Sequence, residues 1–152
     1  MSNEKKTLVS EIRISYAPKV RPSERPTIRT SKDTYELLIE HWDKELIYFR
    51  EEFKFLALNR GGRVIGIYPL SIGGLTETLV DLRLIFSIAL GVLATSIILA
   101  HNHPGGGLTP SQEDQDLTKR IKAAGEIIRI KVLDHLIVTP ESYFSFVDSG
   151  MM

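Results

Sequence analysis

The chain contains no cysteine. That absence excludes disulfides, thiolate zinc sites and cysteine nucleophiles, so any metal must be held by His, Asp and Glu. It also leaves the redox compartment open. Charge of one sign is lacking too, because nineteen Lys and Arg balance nineteen Asp and Glu. No global field therefore draws the chain to nucleic acid or to an anionic membrane, and any such contact has to be local. The longest apolar region, "LIFSIALGVLATSIILA" from Leu84 to Ala100, is interrupted by Gly91, Thr95 and Ser96. It falls short of the roughly 20 residues that cross a bilayer, and reads as a buried helix followed by a buried strand. The N-terminus "MSNEKKTLVSEIRISY" has no long apolar segment behind its lysines and does not read as a signal peptide. The expectation is a cytoplasmic protein without a membrane partner.

What is present is enough for one ordinary domain: 152 residues, 43% of them apolar. Residues 8 to 16 alternate loosely through Val9, Ile12 and Ile14 and predict an edge strand. The stretch "APKVRPSERPTIRTSK" holds three prolines, with Lys19, Arg21, Arg25, Arg29 and Lys32 against one glutamate. This is the composition of an extended arm or linker. The sharper alternative is a basic strip for nucleic acid or an acidic partner, without the interleaved aromatics that would stack on bases. Ser31 is expected to cap a helix in which Tyr35, Leu38, Ile39 and Trp42 form one apolar face. Trp42 then belongs to the core, and His41 is structural or merely exposed. Residues 1–45 are read as an N-terminal extension, and 46–152 as the main domain.

From Leu46 the period changes to two. "LIYFREEFKFLALN" predicts a strand, "RGG" a turn and "RVIGIYPLSI" a second strand, with "GGLTETLV" continuing the sheet. Asp81 begins a helix that is apolar almost all round, implying burial on several sides. "TSIILAH" has the β-branched run of a central strand covered on both faces. A helix from about Pro110 to Gly125 follows, then strands in "IIRIKVLDHLIVTP" and "SYFSFVD". Interspersed helices and strands predict an α/β sandwich around a mixed sheet flanked by helices.

The chemistry concentrates in "LAHNHPGGGLTPSQEDQDLT", Leu99 to Thr118. At a strand end, His101 and His103 point to the same side because successive side chains alternate. Pro104 and Gly105–Gly107 let the backbone fold back. "TPSQ" then starts a helix, with Thr109 as cap, Pro110 at the first position and Gln112 completing a capping box. Ser111 and Asp114, three apart in the first turn, share a face and can meet the histidine pair. Two neutral imidazoles and a carboxylate with an open fourth position compose a catalytic rather than a structural zinc site; the bland alternative is a polar strand end. A hydrolytic zinc also needs a general base, usually a carboxylate. Strand parity offers Glu51, which shares a face with Ile47, Phe49, Phe53, Phe55 and Ala57, whereas Glu52, between Arg50 and Lys54, reads as a solvated cross-strand partner. An acid on an apolar face is costly unless a charge or metal compensates, which marks Glu51 as functional.

"HNHP" followed by "TPSQED" has the His-x-His, seven residues, Ser, two residues, Asp arrangement of the JAB/MPN metalloproteases, also called JAMM. The flanking text resembles their bacterial RadC branch from about Arg50 to Gly150, through "EEFKFLALN", "LDHLIV" and "FSFVDSG". The resemblance implies a JAB/MPN α/β sandwich similar to cytidine deaminases. It implies zinc on His101, His103 and Asp114, Glu51 polarising the bound water, and Ser111 hydrogen-bonding the oxyanion of a tetrahedral intermediate. It further implies cleavage of peptide or isopeptide bonds. Asp134 and His135 are read as supporting or structural residues, with Asp134 orienting its neighbours without touching the metal. The family's RadC branch usually reads "HNHPSG" where this chain has Gly105. Residues 1–45 show no helix-hairpin-helix module, which predicts a stand-alone catalytic domain and weakens the inference to DNA.

The rival from another class is a DNA-repair or recombination accessory protein with non-catalytic zinc, supported by the arm from Lys19 to Lys32. The letters "HNH" do not make a nuclease, since HNH nucleases spread those residues over a ββα unit. Zinc deaminases need paired cysteine ligands that are absent here. The substrate is not written in the sequence. Strand edges between Val132 and Phe146 would allow addition of an extended substrate, or of a second copy to form a homo-oligomer.

Overall fold

The computed structural model describes residues 7–73 and 80–152. Among these residues, three α-helices and a five-stranded mixed sheet form the predicted α/β sandwich. α1 spans Ser31–Glu40, β1 Glu52–Leu58, β2 Val64–Ile72, α2 Leu82–Gly91, β3 Ser96–His101, α3 Gln112–Ile128, β4 Lys131–Val138 and β5 Tyr143–Ser145. The strand order is β2-β1-β3-β4-β5, which places β3 in the middle. β1 is antiparallel to both β2 and β3, β3 runs parallel to β4, and β5 returns antiparallel.

Sheet faces explain the two core clusters. Phe53, Phe55, Ala57, Ile97 and Leu99 meet Ile85, Phe86 and Ala89 of α2 and Ile121 of α3. The alternate residues Leu56, Leu58, Ile98, Ala100, Leu136 and Val138 meet Leu38 of α1 and Trp42. Each fully buried Leu, Ile or Phe contributes about 1.5–3 kcal/mol relative to its exposed state. All six residues of β3 are buried, as expected of a central strand covered on both faces. Among the described residues no helix is long and apolar enough to cross a membrane. The apolar region from Leu84 resolves, as read, into helix then strand.

Several boundaries differ from the sequence reading. Residues 8–16 form no strand. Val9, Ile12 and Ile14 are exposed, and Tyr16 donates its hydroxyl to the Ile65 carbonyl at 2.8 Å. The basic arm is docked on the β1–β2 turn through Ile28 N to Gly62 O and Val64 N to Pro26 O, at 2.9 and 2.8 Å. Thr30, not Ser31, caps α1, because its side chain and that of Asp33 satisfy each other's backbone N–H. Ser31 Oγ instead donates to Asp148. Residues 44–49 are turn, and β1 begins at Glu52 rather than Leu46. α2 is buried through Ile85, Phe86 and Ala89, while Leu84 and Leu90 reach solvent. Six residues of "GGLTETLV", 74–79, lie outside the described residues. β5 pairs with β4 only over Leu136–Val138, so at that end of the sheet the outer edge is made by β5 and by the first part of β4.

Helix α3 runs three residues past Gly125. At Gly125 the helix meets the start of β4 so closely that an added Cβ would lie 2.3 Å from the Ile130 carbonyl. Glycine therefore permits the tight return that sets β4 in register beside β3, with His135 opposite Leu99.

Candidate metal centre

β3 delivers the first histidine. His101 is its last residue, paired with Phe53 of β1 and Ile137 of β4, and its ring is buried. His103 follows beyond the strand end, half-buried. A turn closed by Gly106 N to His103 O at 2.8 Å reverses the chain. Gly106 has φ +79, a conformation that glycine adopts without steric cost. The turn brings the Gly107 carbonyl to His103 Nδ1 at 3.1 Å.

The helix starts two residues later than the sequence suggests. Ser111, not Thr109, is the N-cap of α3 and Asp114, not Gln112, completes the capping box. Asp114 N donates to Ser111 Oγ at 3.0 Å, and Ser111 N donates to Asp114 Oδ2 at 2.8 Å. The cap thus uses the very pair expected at the site. With its carboxylate pinned, Asp114 spans both imidazoles: Oδ1 lies 3.2 Å from His101 Nε2 and Oδ2 3.1 Å from His103 Nε2. The two Nε2 atoms are 3.0 Å apart. A ligand oxygen of Glu51 lies within 4.8 Å of ligand nitrogens of both histidines.

This donor set fits a divalent cation. A carbonyl can only accept, so His103 carries its proton on Nδ1 toward Gly107 and presents a bare Nε2 when neutral. That nitrogen faces a carboxylate oxygen, which also has only lone pairs, and the arrangement is repulsive unless a proton or a cation stands between them. Two nitrogens held tetrahedrally at about 2.0–2.1 Å from one ion sit about 3.3–3.4 Å apart, near the observed separation. Electrostatics point the same way. The hydrogen bond to Asp114 raises the His103 pKa, overcoming burial, and the charge of Glu51 adds a little. Burial works to raise the Asp114 pKa, but hydrogen bonds from His101 and His103 hold it far below the carboxylate range.

Glu51 reached this place by a route the alternation argument did not contain. It lies just before β1 and is half-buried, while Phe49, supposedly its apolar neighbour, is exposed. What fixes its segment is Asn102, between the two histidines and fully buried. Asn102 Oδ1 accepts from Glu52 N at 2.8 Å, and Nδ2 donates to the Ile47 and Arg50 carbonyls at 2.6 and 2.9 Å. Glu52, predicted as solvated, is buried instead. It pairs with Arg50 at 3.2 Å and Lys54 at 3.8 Å, and Lys54 lies over the Trp42 ring. The apolar faces of β1 are both covered, so a charge on either parity ends up inside and must find partners.

Asp134 behaves as read: it accepts from Ser145 Oγ, Val147 N and His135 N, tying β4 to the following chain. Burial, against those three hydrogen bonds, raises its pKa. His135 is likewise a supporting residue. Fully buried, it meets His101 Nδ1 through its Nε2 at 2.7 Å, and burial holds its pKa well below the ordinary value. The same parity that aligned His101 with His103 also puts Leu99, and hence its partner His135, on the face of His101, but only the parallel pairing of β3 with β4 shows it.

The RadC-like JAB domain family matches residues 28–151. A UPF0758 protein of Flavobacterium johnsoniae is 54% identical over 101 residues, covering 66% of this chain and 44% of its own length. One from Geotalea uraniireducens is 43% identical over 116 residues, 76% of this chain and 51% of that protein. One from Desulfitobacterium hafniense is 39% identical over 132 residues, 86% and 56% respectively. The chain therefore spans about half the length of the curated relatives it matches. The matched region contains β1, β3 and α3, the elements that build the histidine–carboxylate cluster, and the chain belongs to the RadC-like JAB domain family.

Proposed function

We propose that this protein is a zinc-dependent hydrolase of the JAMM type that cleaves peptide or isopeptide bonds. The observation that carries the reading is the convergence of two imidazole nitrogens and one carboxylate within 3.0–3.2 Å of one another, with a second carboxylate, Glu51, close by. His101, His103 and Asp114 would hold the ion, which when bound supplies Lewis acidity and lowers the pKa of water toward neutrality. Glu51 accepts a proton from the attacking water and returns it to the departing amine. Ser111 Oγ accepts from Asp114 N through a lone pair, which leaves its hydroxyl proton to donate to the carbonyl oxygen as charge develops there. Half-burial of the histidine–aspartate rim strengthens these interactions relative to water.

The test is metal analysis of the purified chain beside a His101→Ala/His103→Ala double variant. One zinc per chain, lost in the double variant, is expected. Equal zinc in both proteins would overturn the assignment.

A second reading, nucleic-acid association, has one observation in its favour. The arm's backbone is pinned to the β1–β2 turn, and Lys19, Arg21, Arg29 and Lys32 are exposed along it. Salt-sensitive DNA binding that persists in the double variant would favour this reading; no binding at moderate salt would remove it.

A further inference from the structure

Behind the ligands lies a hydrogen-bond chain that begins and ends on Asp114. Thr118, one turn along α3 and 3% exposed, places its Oγ1 2.7 Å from the Asp114 backbone carbonyl. Two oxygens at that distance need a proton between them, and the carbonyl has none to give. The Thr118 hydroxyl proton is therefore committed. Toward His135 Nδ1, at 2.6 Å, the same oxygen can only accept, so His135 carries its proton on Nδ1. A neutral imidazole protonated there has a lone pair on Nε2. That lone pair lies 2.7 Å from His101 Nδ1, which must donate, leaving His101 Nε2 bare and facing the Asp114 carboxylate.

We propose that Thr118 and His135 are positioning residues that set the tautomer of His101, so that its Nε2 is the metal-ligating nitrogen before any ion arrives. The inference rests on the metal reading above. Ring orientation is fixed as well as proton position: His135 stacks on Phe146 at 4.7 Å between centroids and meets Phe53 edge-on at 5.4 Å. Sidechain partners of this kind commonly change metal affinity by about 10–100-fold when removed. Here the acceptor-only carbonyl at the far end imposes direction on every link. His103 is set independently, by the Gly107 carbonyl, so the two ligands reach the same protonation pattern through separate anchors.

Thr118→Val removes the oxygen while keeping the shape. His135 Nδ1–H then has no acceptor in a fully buried place. The proton moves to Nε2, donates to His101 Nδ1, and forces the His101 proton onto the ligating nitrogen. With the full 152-residue chain, Zn2+ affinity measured by competition with a chromophoric chelator should fall about 10–100-fold in Thr118→Val and return in Thr118→Ser. Nitrogen NMR of the imidazoles in the metal-free chain, at mildly alkaline pH, should show His101 protonated on Nδ1 in the natural protein and on Nε2 in Thr118→Val. His135→Phe, which retains the ring stack, should also weaken Zn2+ binding. Unchanged affinity together with an unchanged His101 tautomer in Thr118→Val would overturn the proposal. A natural chain that shows the described tautomers but binds no Zn2+ would support the relay and overturn the metal reading instead.

Discussion

The histidine loop and the turn that carries Glu51 bring side chains to one point by different means. In the loop, local rules suffice: alternation aligns His101 with His103, a glycine turn reverses the chain, and the capping box that starts α3 holds Asp114 against both rings. The Glu51 turn is closed by local backbone hydrogen bonds from Leu46 and Ile47 to Asp43 O and from Phe49 and Arg50 to Leu46 O, but none of these ties it to the imidazoles. Its tie to the histidine loop is three hydrogen bonds with Asn102, a residue about fifty positions away, which accepts one and donates two. One half of the site is built by neighbours in sequence, the other by a clamp across the sheet. The adjacent acids sharpen the point. Glu51 and Glu52 differ by one position, yet one faces the imidazoles and the other is buried against Arg50 and Lys54.

The comparison can be tested by removing each half in turn. The largest effect is expected from Glu51→Gln, which should leave Zn2+ binding intact while amide hydrolysis falls about 10²–10⁴-fold; full activity in that variant would mean another group is the base. Ser111→Ala should cost roughly 10²–10³ in rate, and about 1 kcal/mol of stability through the lost cap, so kinetics and thermal melting together separate its two roles. Asn102→Ala strips the buried donors and acceptors of the Glu51 turn. A loss of about 1–3 kcal/mol is expected in chemical denaturation, with faster hydrogen exchange at the Glu52 amide; a protected amide would show that the turn does not depend on the clamp.

The smallest effect is on the pH dependence of the metal-free chain. Because the His103 pKa is raised above 6.5, its contribution to stability is complete below that value and disappears as pH rises through the folded-state value. Asp114, held below 3.8, contributes stability above that value and loses it only in strong acid. Relative to His103→Ala, the natural metal-free chain should therefore gain stability at mildly acid pH and lose that gain at alkaline pH, a difference in which the opposing contribution of buried His135 cancels. Bound Zn2+, which needs unprotonated imidazoles, should stabilise the chain more as pH rises. Parallel thermal melts with and without Zn2+ measure both.

Much of this was legible before folding. The cluster His101, His103, Ser111 and Asp114 follows from periodicity and a helix start, and a two-residue error in the cap did not disturb it because Ser111 and Asp114 remain three apart in either assignment. The central strand followed from its β-branched run. The failures have one cause: both faces of β1 are covered, so alternation could not tell which acid is solvated, nor where strand gives way to turn at residues 46–51. Exposed Phe49 and buried Glu52 are the two sides of that error.

By itself the amino-acid sequence determined that two imidazoles and a carboxylate converge, because those contacts are made within fourteen consecutive residues, where strand and helix geometry leave little freedom. Only the tertiary structure decided how Glu51 is held beside them and which tautomer they hold. Those depend on Asn102 meeting the Ile47 and Arg50 carbonyls, and on His135 arriving beside His101 through the parallel pairing of β3 with β4. Contacts between distant segments are set by how whole faces bury, and no local pattern encodes that.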